Sequence, residues 1–191
     1  MPVIRQLWVV SNHGAARSQL PFGTDGVYGR THRSLQAVVM AGQSLDIPYR
    51  GGFVGREHRF ALTVYFEDTD AYGIVYYANY LKFMERARSD MLRAAGVDQA
   101  IELCRSGSAY AVVQVEIRYR RPARLGDDLQ IVSTISQLRS SSVRIQQRVM
   151  LGAELLTDAM VTAAFLDREG RPRRQPGDWV YKFQAITARK R

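Results

Sequence analysis

Glu67, Asp68 and Asp70 form the most concentrated set of carboxylates in a chain of 191 residues, and Gly73 follows them. A carboxylate so placed can serve as nucleophile or as general acid and base. A chain that passes through Gly73 into a helix beginning near Asn79 presents unpaired backbone N–H groups, with the positive end of the helix dipole behind them. Such donors can hold a developing oxyanion, each well-aimed one being worth about 10²–10³ in rate. The pattern fits attack on a carbonyl, directly or through an activated water. The same spacing also fits a plain turn capped by Asp68 or Asp70, with the neighbouring aromatics in the core, and spacing alone leaves both readings open.

Counting narrows the rest of the chemistry. His13, His32 and His58 are the only histidines, and all precede the expected core, so a histidine base is not expected there. No G-x-S-x-G elbow and no G-x-x-x-x-G-K-[ST] phosphate loop occurs. Cys104 is the only cysteine, which excludes an intramolecular disulfide and a four-thiolate metal site and points to a reducing, cytoplasmic setting. No apolar run approaches the roughly 20 residues of a membrane span. The segment from Arg5 through Leu7-Trp8-Val9-Val10 to Ser11 lacks a long secretory apolar core.

The net charge of +9 would suggest nucleic acid or an anionic surface as partner. Its distribution argues otherwise, because residues 60–166 carry 12 Lys/Arg against 12 Asp/Glu. The excess sits at the ends, among them Arg171-Pro172-Arg173-Arg174 and Arg189-Lys190-Arg191. A solvated basic tail is expected, with an anion-binding tail as the sharper alternative; nucleic acid is not expected.

The positioning elements follow from periodicity. Residues 1–55 lack sustained helical or strand pattern and read as a poorly structured extension, with Met40 a candidate alternative start. Phe60 to Phe66 reads as a strand rich in β-branched and aromatic residues that ends at the acidic cluster. Tyr80, Phe83, Met84, Ala87, Met91, Leu92 and Ala95 recur at helical spacing opposite Lys82, Arg86, Ser89 and Arg93, with Asn79 as N-cap and Gly96 as stop. Val113, Val115, Ile117 and Tyr119 alternate with polar residues up to Pro122; Leu129–Ile135, Val143–Leu151 and Ala159–Phe165 follow as further strands. The expectation is an α+β fold: one long central helix wrapped by a curved antiparallel sheet of about five strands over residues 56–170, and a basic segment from 171 to 191.

The run Glu-Asp-Thr-Asp-Ala-Tyr-Gly-Ile-Val-Tyr-Tyr-Ala-Asn-Tyr-Leu-Lys-Phe-Met-Glu-Arg-Ala-Arg from Glu67 to Arg88 resembles the signature of the 4-hydroxybenzoyl-CoA thioesterase family of hotdog fold, most of all its Tol-Pal-associated acyl-CoA thioesterase branch. The likeness extends less sharply through Val115–Asp127 to about Phe165. It implies hydrolysis of an acyl-CoA thioester with Asp70 as catalytic carboxylate, Asp68 as positioned neighbour and the Tyr77 N–H polarising the carbonyl. Gly73, Ile74 and Tyr76 would be substrate-binding positions in the same loop. Many Tol-Pal-type members carry histidine where Tyr77 stands, so the short-chain preference of that branch does not carry over.

The resemblance further implies a homodimer or homotetramer with the ligand touching two chains, and no cofactor, since coenzyme A is part of the substrate. Arg139, Ser140 and Ser141, with Arg118, Arg120 and Arg121, are candidate contacts for its phosphates. An acyl carrier protein is a further candidate partner. The alternative function within this fold is a non-catalytic binding module for acyl-CoA or acyl carrier protein.

Overall fold

The computed structural model describes residues 49–189. The readings made for residues 1–48, among them Met40, His13 and His32, lie outside the described residues. Six strands and three α-helices follow one another as β1 (Gly52–Val54), β2 (Glu57–Thr63), α1 (Asn79–Ala94), α2 (Gln99–Ser106), β3 (Ala109–Tyr119), β4 (Asp128–Leu138), β5 (Ser142–Leu151), β6 (Glu154–Leu166) and α3 (Gly177–Thr187). The strands form one sheet in the order β1-β2-β4-β5-β6-β3, and every neighbouring pair is antiparallel. β1 is the strand beyond the five expected.

α1 forms where the helical apolar stripe required it. Tyr80, Phe83, Met84, Ala87 and Met91 are buried, and the first four pack in one cluster with Leu129 and Ile131 of β4, Val149 of β5, and Leu156 and Ala159 of β6. Each large side chain so buried contributes about 1.5–3 kcal/mol. The helix stops as Gly96 takes a left-handed φ of 72°, while the Val97 N–H turns back to Leu92 O at 2.8 Å. Beneath α1 the core holds a polar network centred on Gln147. Gln147 accepts from Arg88 Nη1 at 2.6 Å, and its amide donates to Met84 O at 3.0 Å and Ser133 Oγ at 2.9 Å.

Asn79 departs from its expected place. Ala78 is the N-cap, Asn79 is the first helical residue, and no side chain caps the helix. The buried Asn79 amide is occupied elsewhere, donating to Asp68 O at 2.9 Å. The first strand is also shifted, ending at Thr63, because Phe66–Asp68 coil into a 3-10 turn. Asp68 closes that turn with its own carboxylate, which accepts the Tyr65 N–H at 2.9 Å. Tyr65 and Phe66 are left exposed.

His58 belongs to β2 and is fully buried, so the core does contain a histidine. Its Nε2 lies 3.0 Å from Asp90 Oδ2 of α1. Asp90 stands eleven residues beyond Asn79, about 16 Å along the helix axis, so this pair is remote from the helix entrance. β3 is an edge strand, and Val113 and Val115 are 58% and 37% exposed rather than half-covered as their alternation suggested. α1 packs over β1, β2 and β4, Ile117 is the β3 residue packed against the α1 cluster, and a register shift between Val112 and Gln114 interrupts the alternation of β3.

Part of the expected solvated tail is structured. Trp179, Phe183 and Ile186 of α3 are buried, the first two packing with Met91, Leu92 and Phe165. The strap leading to α3 is pinned by Gln175, whose amide donates to Arg139 O at 2.6 Å, and by Arg173, which donates to Ser108 Oγ at 3.0 Å. α2 is capped by Asp98, which accepts from the N–H groups of Ala100 and Ile101 at 3.0 Å, and ends at Gly107 with a φ of 71°.

Candidate active site

Between β2 and α1 the chain folds into a small antiparallel loop. Asp70 N–H donates to Ile74 O at 2.9 Å and Gly73 N–H returns to Asp70 O at 3.0 Å. Gly73 has a φ of 69°, and a Cβ there would meet nothing within 4 Å. The glycine is required by backbone conformation, not by crowding. Asp70 as a residue is half-buried, and its carboxylate accepts the Tyr72 N–H at 2.9 Å in an exposed hydrogen bond. The loop is anchored to the β3–β4 connection, where Val75 N–H donates to Ala123 O at 2.9 Å and Ile74 bridges to Arg124.

Past Val75 the chain enters α1 under tight control. Tyr76 N–H donates to Asp68 O at 2.9 Å, and Asn79 N–H donates to Tyr76 O at 2.8 Å. Among the described residues the Tyr77 N–H finds no acceptor, and the helix start behind it carries no capping side chain. That start carries roughly half a positive charge. On the other side of Tyr77, its carbonyl accepts from the Tyr119 hydroxyl at 3.1 Å.

Beside this entrance lies a pocket of about 290 Å³ walled by Ile74, Val75, Tyr77, Tyr80, Tyr119 and Pro122. The tyrosine rings contact one another edge-on: Tyr77 to Tyr119 at 6.4 Å and Tyr80 to Tyr119 at 5.5 Å between centroids. Burial raises the hydroxyl pKa of Tyr80 and of Tyr119, so both remain protonated donors at neutral pH. The Tyr80 oxygen in turn accepts the Ala123 N–H at 2.8 Å. Tyr76 points outward, 47% exposed, with its ring 4.7 Å from that of Tyr77, and its own pKa is raised by the hydrogen bond to Tyr77.

Of the residues singled out in the sequence, Asp70, Gly73, Ile74 and Tyr77 therefore share one loop and helix entrance. Within one chain the arginine-serine turn is elsewhere. Arg139 and Ser140 line a separate cavity of about 550 Å³ with Arg56, Ile135 and Val180, while Ser141 O accepts the Phe165 N–H at 2.8 Å. Arg118 lines another cavity with Glu116 and Asp158, whereas Arg120 and Arg121 reach the rim of the tyrosine pocket. Tyr80 and Tyr119 carried only a core or strand signal, and their place at the pocket depends on how the β3–β4 connection crosses the helix start; Asn79 carried only a capping signal. Among the described residues no group of three His, Cys, Asp or Glu is placed to hold a metal ion.

A long helix enclosed by an antiparallel sheet, with a carboxylate loop at the helix entrance, is the hotdog class of thioesterase fold. The chain belongs to the thioesterase-like superfamily, whose family model matches residues 64–185. It is 38% identical over 128 residues to the acyl-CoA thioester hydrolase YbgC of Escherichia coli, a stretch covering 66% of this chain and 95% of that one. It is 37% identical over 108 residues to the acyl-CoA thioesterase YbgC of Haemophilus influenzae, covering 56% of this chain and 79% of the relative. Among solved structures it resembles a probable thioesterase from Bartonella henselae, with a TM-score of 0.61, 36% identity, and coverage of 63% and 99% of the two chains.

Proposed function

We propose that this chain hydrolyses acyl-CoA thioesters, with Asp70 as the catalytic carboxylate and the Tyr77 N–H as carbonyl donor. The observation that carries the reading is the unpartnered Tyr77 N–H at an uncapped helix start, on the loop that also bears Asp70 and beside an apolar pocket. A thioester carbonyl oxygen seated on that N–H places developing negative charge where a backbone donor and the helix dipole meet it. The Asp70 carboxylate then adds to the carbonyl carbon, or takes a proton from a water that adds. Collapse of the tetrahedral species expels the CoA thiolate, which takes a proton; on the water route this yields the free acid at once, and on the direct route it leaves a mixed anhydride with Asp70, which a water then cleaves to the free acid and the Asp70 carboxylate. Hydrolysis consumes one water and needs no redox partner.

The functional unit is a homodimer, or a tetramer built from it, paired through β3. Support comes from the bare edge of β3 and from its exposed Val113 and Val115. The direction of pairing matters for the site. β6 runs beside β3 and β5 beside β6, so that Ser142 opposes Ala164, which opposes Ala111. Antiparallel pairing of two β3 strands brings the partner's Ala111 end to the Tyr119 end of the first chain, and with it the turn that holds Arg139, Ser140 and Ser141. In this arrangement the partner's arginine-serine turn lies toward the tyrosine-pocket end of the joined sheet, and Arg139 is the candidate contact for the CoA phosphates in trans.

No helix among the described residues is long and apolar enough to cross a membrane. The exposed, unpaired Cys104 fits a reducing cytoplasmic setting. An acyl carrier protein is an alternative thioester donor. Incubating the protein with aliphatic and aromatic acyl-CoAs and a thiol-detecting reagent tests the activity: CoA release with at least one class is expected, and none with any would leave only a binding module.

A further inference from the structure

Asn79 occupies an unusual place for an asparagine at a helix start. One position earlier its side chain would cap the helix and consume N–H groups that the site leaves open. Standing at the first helical residue, it makes two other bonds. Its backbone N–H donates to Tyr76 O at 2.8 Å, and its side-chain Nδ2 donates to Asp68 O at 2.9 Å. Asp68 O also accepts the Tyr76 N–H at 2.9 Å, so Asp68, Tyr76 and Asn79 close a small ring of hydrogen bonds.

Peptide geometry gives this ring a consequence. In a planar trans peptide the carbonyl and the N–H point in opposite directions. With Tyr76 O held toward the helix by Asn79, the N–H of the same peptide, that of Tyr77, is turned away from the helix backbone. The side chain of Asn79 meanwhile ties this peptide to Asp68, two residues before Asp70. Asn79 is 7% exposed, so water cannot replace the amide easily.

We propose that Asn79 is a positioning residue of the reaction, setting the carbonyl donor at Tyr77 in fixed relation to the carboxylate of Asp70. This rests on the roles given to those two residues above. It assigns Asn79 no contact with substrate. The side chain acts through Asp68 O, and only a donor can do so.

That requirement supplies the test. In Asn79→Asp an ionised carboxylate faces Asp68 O, acceptor against acceptor; protonated, it regains a donor. Steady-state kinetics of N79D and of N79S, whose hydroxyl is too short for the span, are measured beside wild type from pH 5 to 8. At neutral pH kcat falls about tenfold or more in both folded variants, on the scale that misplaced reacting groups cost, with KM within about twofold of wild type. The ratio of N79D to wild-type kcat rises as pH falls, and that of N79S does not. Folded variants with wild-type kcat, a flat N79D ratio, or a defect confined to KM overturn the proposal. So does loss of fold in both variants at the assay temperature, which makes Asn79 a structural residue only. If wild type releases no CoA, or Asp70→Asn is undiminished, the parent reading fails instead.

Discussion

The Tyr119 hydroxyl donates to the main-chain carbonyl of Tyr77 across 3.1 Å, joining the last residue of β3 to the entrance of α1. Tyr119 also forms one wall of the pocket beside that entrance. Removing only the hydroxyl, in Tyr119→Phe, keeps the wall and frees the carbonyl. Because the bond is exposed, the stability loss should stay within about 1 kcal/mol, while kcat falls roughly 2- to 10-fold as the donor peptide loosens. Thermal melting and steady-state kinetics on the same preparation check this; a change in melting with kcat untouched would separate Tyr119 from the site.

The His58–Asp90 pair predicts a pH dependence of stability. Burial lowers the His58 pKa from 6.5, against the opposing pull of Asp90. Asp90 also accepts the Gly51 N–H at 2.8 Å and has Arg93 at 3.7 Å. With the folded pKa below the unfolded one, the unfolded chain binds the proton first as pH falls. The contribution is complete above about 6.5 and is lost progressively below it as pH descends toward the folded pKa. Melting temperatures from pH 7.5 to 5 should fall for wild type, and His58→Gln should lack that part of the decline.

Two glycines should fail for different reasons. A Cβ at Gly51 would stand 2.4 Å from Arg59 O and 2.8 Å from Asp90 Oδ2, so Gly51→Ala displaces backbone and should cost about 1–3 kcal/mol or more. Gly73→Ala meets no atom but must hold a φ of 69°, costing about 1–2 kcal/mol. Chemical denaturation measures both. Gly73→Ala should in addition lower kcat, since its loop carries Asp70.

Pairing through β3 predicts that a charge among the exposed side chains of this edge strand divides the assembly. Val115→Arg should shift the protein toward monomer in sedimentation velocity and lower thioesterase activity with it, while circular dichroism stays that of the folded chain. A dimer that persists in this variant would place the interface elsewhere.

How much of this was legible in the sequence depended on whether the signal was local. α1 could be read because Phe83, Met84, Ala87 and Met91 repeat with the helix itself, and Gly96 marks its stop. Asp70 and Tyr77 came from a contiguous motif, and their common loop follows from chain continuity. The Tyr80 and Tyr119 pocket was not legible, since those residues are 39 positions apart and meet only because the β3–β4 connection crosses the helix start. α3 was obscured by charge: Arg171, Arg173 and Arg174 dominate the segment, while Trp179, Phe183 and Ile186 give a single short apolar stripe. His58 was misjudged because β2 begins three residues earlier than its aromatic run suggests, and Asn79 because a capping residue and a buried clamp look alike in one dimension.

The most direct measurement is CoA release by Asp70→Asn against wild type under saturating acyl-CoA. Amide for carboxylate keeps the size of the side chain and its acceptor for the Tyr72 N–H, so fold and substrate binding should survive. If Asp70 attacks or activates water, kcat falls by about 10²–10⁴-fold with KM little changed. Single-turnover hydrolysis by wild type in isotopically labelled water then separates the two routes, since label enters the Asp70 carboxylate only if it forms a covalent acyl intermediate. A folded Asp70→Asn protein that releases CoA at the wild-type rate would contradict the assignment.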